Sequence, residues 1–140
     1  MVDKTLLLRK LADLDEYGAQ IGEYAGLTIR GYKADWKIQR IIERTLQMMI
    51  ETCLDVAGHI IADENFRAPE SYADMFRILN EKRIIADGQR PNLEKMAKFR
   101  NVVVHQYEKI DPKIVVTIVN NHLSDFQKYK DSITAYLAKK

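Results

Sequence analysis

Seven apolar residues recur at three- and four-residue steps from Ile38 to Ile60: Ile38, Ile42, Leu46, Met49, Cys53, Val56 and Ile60. That period lays one continuous stripe along a helix and has no counterpart in a strand, where side chains alternate with a period of two. The spacing predicts a helix from about Asp35 to about Asp63. A stripe of that length needs partners of similar length to cover it, and the chain supplies them. Leu7, Leu11, Leu14, Gly18, Ile21 and Ala25 form one stripe behind Asp3 as N-cap. Val115, Ile118, Val119, His122, Phe126, Tyr129 and Ile133 form another behind Asp111-Pro112, where Asp caps and Pro suits the first turn.

Two further helices fill the interval. Ala68-Pro69-Glu70-Ser71 marks the start of a short one, with the proline near its first turn and Tyr72, Met75, Phe76 and Leu79 as its apolar contacts. Asp87-Gly88 and Arg90-Pro91 make a loop. A fourth long helix is expected behind Asn92 as N-cap, with Glu94 in its first turn, running to Asp111-Pro112. Only six Gly and three Pro among 140 residues leave few other breaks. The expected fold is all-α: an up-and-down four-helix bundle with one additional short helix, as a single domain over residues 1–140. A short helical chain finishes burying its apolar surface by symmetric pairing, so a homodimer is expected.

Composition excludes several classes. A single cysteine, Cys53, forms no intramolecular disulfide and no multi-cysteine zinc site, and its place on an apolar stripe makes it a core residue. The apolar start Leu6-Leu7-Leu8 is broken at once by Arg9 and Lys10, and no apolar run is long enough for a membrane span, so a cytoplasmic protein is expected. The formal charge is +2, but residues 77–100 hold seven basic residues against three acids, a local net of +4. That patch reads either as a solvated surface or as an attractor of polyanions. His122 lies on an apolar face and reads as a hydrogen-bonded core histidine.

One polar row stands out on the long second helix. Glu43, Gln47, Glu51, Asp55 and His59 follow at unbroken four-residue steps, so the row winds slowly along one side. It reads either as a solvent face or as the lining of a polar cleft that supports catalytic groups. Glu51, Asp55 and His59 have ligand-like spacing, but no second ligand-rich helix accompanies them, and neither metal nor cofactor is expected.

Chemistry concentrates in Arg100-Asn101-Val102-Val103-Val104-His105-Gln106-Tyr107. Arginine offers a permanently charged fork of donors that suits a phosphate. Histidine moves protons near neutrality. Together they suit RNA cleavage by its own 2′-hydroxyl, with His105 transferring the proton, Arg100 stabilising charge on phosphorus and Asn101 orienting His105 or holding a phosphate oxygen. On an ideal helix, however, Arg100 and His105 point roughly 140° apart, while Tyr107 returns to nearly the direction of Arg100. A second copy across a dimer axis is the best way to bring guanidinium and imidazole together.

This stretch resembles the R-x4-H-x-Y signature of HepT-like proteins, a branch of the HEPN superfamily. Ile41-Ile42-Glu43-Arg44-Thr45-Leu46-Gln47, Pro69-Glu70-Ser71-Tyr72 and Ile110-Asp111-Pro112 also fall where that family has comparable segments. The resemblance implies a dimeric helical bundle in which two motifs form one cleft. It implies a metal-independent endoribonuclease acting on RNA as the toxin of a type VII-like toxin–antitoxin pair. The implied antitoxin is a small nucleotidyltransferase that transfers AMP to the motif tyrosine. Carried over, Arg100 and His105 are the catalytic pair, Asn101 assists, and Tyr107 is the modification site. Gln106 departs from the small residue common in relatives. The competing reading is a non-enzymatic dimer that binds a nucleotidyltransferase or a nucleotide.

Overall fold

In the computed structural model, which describes residues 2–140, a helix stands at each apolar stripe and short helices stand between them. They are α1 (Lys4–Gly22), α2 (Ile29–Ala34), α3 (Trp36–Asp63), α4 (Tyr72–Glu81), α5 (Arg90–His105), α6 (Pro112–Thr117) and α7 (Leu123–Ala138). A 3-10 turn (Tyr107–Lys109) links α5 to α6, and a π-helical turn (Ile118–His122) joins α6 to α7. No strand occurs among the described residues, and none of the helices is long and apolar enough to cross a membrane.

The longest helix, α3, is the axis of the bundle. Asp35 caps it, its carboxylate accepting the Lys37 N–H at 2.9 Å. Ile42, Leu46, Met49, Cys53, Val56 and Ile60 are all buried. So are Ile50, Leu54, Ala57 and Ile61, which lie off that stripe, because helices cover α3 on several sides. Antiparallel α1 lies against it, with Gly18 beside Met49 and Lys10 paired to Asp55. The last helix runs parallel to α3: Tyr129, fully buried, donates its hydroxyl to the Cys53 carbonyl at 2.8 Å and meets the Phe76 ring edge-on. Cys53 is a buried core thiol, as its position on the stripe predicts.

Several element ends differ from expectation, each for a local reason. Gly22 closes α1, and Ala25 lies exposed beyond it in a turn where Gly26 adopts φ +86°, a conformation that favours glycine. Asn120 fastens that turn by accepting the Gly26 N–H and donating to the Leu27 carbonyl. The short α2, which hydrophobic spacing does not announce, starts on Thr28 as cap and buries Tyr32. Pro69 precedes α4 rather than entering its first turn; Ser71 is the cap, and its hydroxyl accepts the Asp74 N–H. Helix α5 begins at Arg90 with Pro91 in its first turn, so Asn92 is no cap and Glu94 lies beyond the first turn. Glu94 instead pairs with Arg77 at 2.5 Å and Arg90 at 3.4 Å. With Arg83 on Asp87 and Arg100 on Glu51, much of the basic segment is neutralised in place, while Lys95 and Lys98 stay exposed. His122 is only half-buried, with Nδ1 at 2.9 Å from Asp125. The π turn resets the helical phase at this point.

The largest correction concerns the end of α5. Expected to continue to Asp111, the helix stops at His105, and Gln106 turns out of it at φ −135°, ψ 48°. Three consecutive valines before it are poor helix formers. Pro112 then disfavours helical backbone at Asp111, and both Ile110 and Asp111 are extended. The 3-10 turn over Tyr107–Lys109 fills the gap.

The connection into α4 is held by charge. Arg67 grips both oxygens of the buried Asp74 carboxylate, at 2.7 and 2.9 Å, and also binds Glu81. Arg67 first, and the Glu70 backbone N–H second, hold the Asp74 carboxyl down to about 2 from its ordinary 3.8. Because the folded value is the lower one, the unfolded chain binds this proton first as pH falls. The stabilisation is complete above about pH 4 and is lost between about pH 4 and pH 2. Urea midpoints measured over that window should fall more steeply for the wild-type chain than for Asp74→Asn, which lacks the titrating group.

Candidate active site

The polar row on α3 meets the motif stretch at two points. The two helices are antiparallel, and the row supplies a partner at each end of the motif. Glu51 accepts the Arg100 Nε–H at 3.1 Å and the Gln47 amide at 3.0 Å. Eight residues earlier on α3, about 12 Å along the axis, Glu43 accepts the Tyr107 hydroxyl at 2.8 Å. The row is therefore not a solvent face: Glu43 is 5% exposed, Gln47, Glu51 and His59 are half-buried, and only Asp55 is exposed.

Arg100 is engaged on three sides. Beyond Glu51, its Nη1 donates to the Asn101 side-chain oxygen at 3.2 Å, and its guanidinium lies over the Tyr72 ring at 4.9 Å. Such stacking suits a weakly hydrated planar cation. Asn101 thus bonds to Arg100, not to His105. His105, the last residue of α5, is exposed.

Two adjoining grooves divide these groups. One, of about 740 Å³, is lined by Glu51, Asp55, His59 and Arg100; the next, of about 560 Å³, by Asn101, His105, Gln106 and Glu70. Tyr72 and Met75 line both and form their common wall. Arg100 and His105 therefore face different spaces within one chain, as their helical phase requires.

Tyr107 is 40% exposed, yet its hydroxyl is anchored. The Arg40 guanidinium lies 4.8 Å from the centre of its ring and 3.6 Å from the Glu43 carboxylate. Tyr32, buried on α2, donates to the other Glu43 oxygen. Burial, reinforced by that carboxylate, pushes the Tyr32 phenol upward, so it remains a donor. Glu51, Asp55 and His59 do not converge: the first binds Arg100 and the second Lys10. No group of three ligand-type side chains is close enough to share a metal ion among the described residues.

Glu43 and Glu51 were legible as members of the row, but their partners were not. Arg40 and Tyr32 carried no signal beyond their residue types. Tyr72 read only as an apolar contact, although its ring is the wall between the grooves.

Comparison with known proteins adds to this geometry. The ribonuclease HepT-like family model matches residues 14–133. The chain belongs to the HepT-like family. An mRNA nuclease HepT of Shewanella oneidensis is 36% identical over 104 residues, 74% of this HepT-like chain and 78% of that protein. A tRNA nuclease HepT of Aphanizomenon flos-aquae is 22% identical over 138 residues, 97% of this chain and 92% of that one. Among solved structures, the tri-AMPylated Shewanella oneidensis HEPN toxin in complex with MNT antitoxin superposes with a TM-score of 0.85 at 32% identity, covering 96% of this chain and 99% of that one. The all-helical HepT-like bundle of the present chain is thus that of a HEPN toxin.

The Arg100–Glu51 pair is partly shielded, with 15% and 37% of the two side chains exposed. A double-mutant cycle of Arg100→Ala and Glu51→Ala by urea unfolding should give a coupling of about 0.5–1 kcal/mol. A value near zero would mean that the pair adds nothing measurable to stability.

Proposed function

We propose that this HepT-like chain is a metal-independent endoribonuclease toxin whose cleavage chemistry is carried by Arg100 and His105. The observation that carries the reading is the complete Arg100-x4-His105-x-Tyr107 motif, with its arginine preorganised by Glu51, Asn101 and Tyr72. Names of two relatives, an mRNA nuclease and a tRNA nuclease, support RNA as the substrate class. The RNA 2′-oxygen attacks the adjacent phosphorus while His105 transfers a proton, and Arg100 stabilises the charge that accumulates on the phosphoryl oxygens. Asn101 holds the guanidinium in place. Since the two residues face adjoining grooves, the reading includes a homodimer in which one chain's Arg100 serves beside the other's His105.

Tyr107 is the control point in this reading. A nucleotidyltransferase antitoxin transfers AMP to its hydroxyl, and the added phosphates repel RNA from the cleft. The AMPylated state of the related toxin in its antitoxin complex supports this assignment.

Inducing the wild-type chain alone should arrest growth and fragment RNA, and chelating divalent ions should not slow cleavage by the purified protein. His105→Ala should lower cleavage by about 100-fold or more while remaining folded and dimeric. Equal RNA integrity with wild-type and His105→Ala would leave the non-enzymatic binding reading in its place. Co-expression with the cognate nucleotidyltransferase should add AMP-sized mass to the wild-type chain and none to Tyr107→Phe; mass gained elsewhere removes the regulatory assignment.

A further inference from the structure

RNA cleavage by Arg100 and His105 leaves one buried acid without a task. Glu43 lies 5% exposed in the bundle, and burying a carboxylate is costly unless its partners compensate. Its partners are an unusual set. Oε2 accepts the buried Tyr32 hydroxyl, and Oε1 accepts the Tyr107 hydroxyl at 2.8 Å. Arg40 lies 3.6 Å from Oε1 and stacks on the Tyr107 ring at 4.8 Å. A purely structural anchor has no need of an exposed tyrosine on a three-residue turn, yet one of the two carboxylate oxygens is committed to it.

We propose that Glu43 is the catalytic base of the modification step, taking the proton from Tyr107 Oη as that oxygen becomes the acceptor of AMP. The proposal rests on the reading that Tyr107 is the AMPylated residue, and assigns the group that activates it. Adenosine triphosphate is held by the nucleotidyltransferase. Tyr107 Oη forms a bond to its α-phosphorus, and the bond from that phosphorus to the pyrophosphate oxygen breaks. Pyrophosphate leaves with the electron pair. The phenol proton passes to Glu43 Oε1 and from there to solvent. A carboxylate is a weak base towards a free phenol, but the phenolic proton becomes strongly acidic once the oxygen bonds to phosphorus, so transfer within that step is downhill.

The surrounding groups fit this role. Tyr32 fixes the carboxylate plane from behind and leaves Oε1 for Tyr107. Burial keeps the Tyr32 phenol protonated, so it does not compete for the proton. Arg40 places a cation beside the phosphodiester as it forms, while its stacking holds the ring on which attack depends. With the O–H directed into Glu43, the lone pairs of Oη are free to meet the nucleotide.

The test uses the full-length chain, the cognate nucleotidyltransferase and adenosine triphosphate, followed by intact mass. Glu43→Gln preserves shape and removes basicity; kcat for AMP transfer should fall about 100-fold, with KM for adenosine triphosphate unchanged. Transfer to Glu43→Gln at the wild-type rate overturns the proposal, as does a loss confined to KM. If circular dichroism shows that Glu43→Gln is unfolded, Glu43→Asp decides: it keeps the charge but withdraws it by one methylene, and should lose at least about ten-fold. Wild-type kinetics in that variant also overturn the proposal. Absence of AMP on the wild-type chain is a different failure, since it removes Tyr107 as acceptor before Glu43 is in question.

Discussion

The antiparallel register of α3 and α5 is the constraint on which the site depends. Two carboxylates two turns apart on α3 receive two residues seven positions apart on the other chain segment, an arginine at one end and a phenol at the other. Neither contact survives a slide of one helical turn, which moves a side chain by about 5.4 Å and leaves a charged group facing the wrong partner. The apolar stripes alone tolerate such a slide better, because one buried aliphatic residue resembles another. Polar pairing therefore selects the register that hydrophobic burial merely permits.

Much of this was legible in residue spacing. The stripe from Ile38 to Ile60 marked the central helix and its bounds, and Leu7 to Ile21 and Val115 to Ile133 marked its neighbours. The geometric mismatch of Arg100 and His105 was also readable, since helical phase is arithmetic. What escaped was set by neighbours. Helix α2 has six residues, too few to show a period. Asn92 lost the cap to Gln89 because Pro91 enters the first turn. His122 left the core where the π turn altered the phase of the last helix. The end of α5 escaped because three valines and a later proline weaken helix without naming the residue at which it breaks. Tyr107 was placed on the face of Arg100 by an ideal helix that stops two residues before it.

Arg100 illustrates how much of a site can be prepared before any ligand arrives. A free arginine side chain loses considerable rotamer entropy when it is fixed. Here Glu51, Asn101 and the Tyr72 ring already fix it, through Nε, Nη1 and the face of the guanidinium. The same tyrosine closes the groove on its far side, so it serves two spaces with its two aspects. A change at Tyr72 would thus alter the shape of both grooves and the freedom of the cation together.

The break at Gln106 has a consequence for how this chain can vary. His105 ends a rigid helix, whereas Tyr107 opens a turn, and a single residue makes the change of direction between them. That residue is a fixed length of chain. One more inserted there adds about 3.5 Å of backbone, enough to carry the phenol beyond reach of Glu43, and one fewer draws it back against the helix end. The side chain at 106 is exposed. The contact between Tyr107 and Glu43 thus depends on the length of this one-residue connection more than on the side chain that it carries.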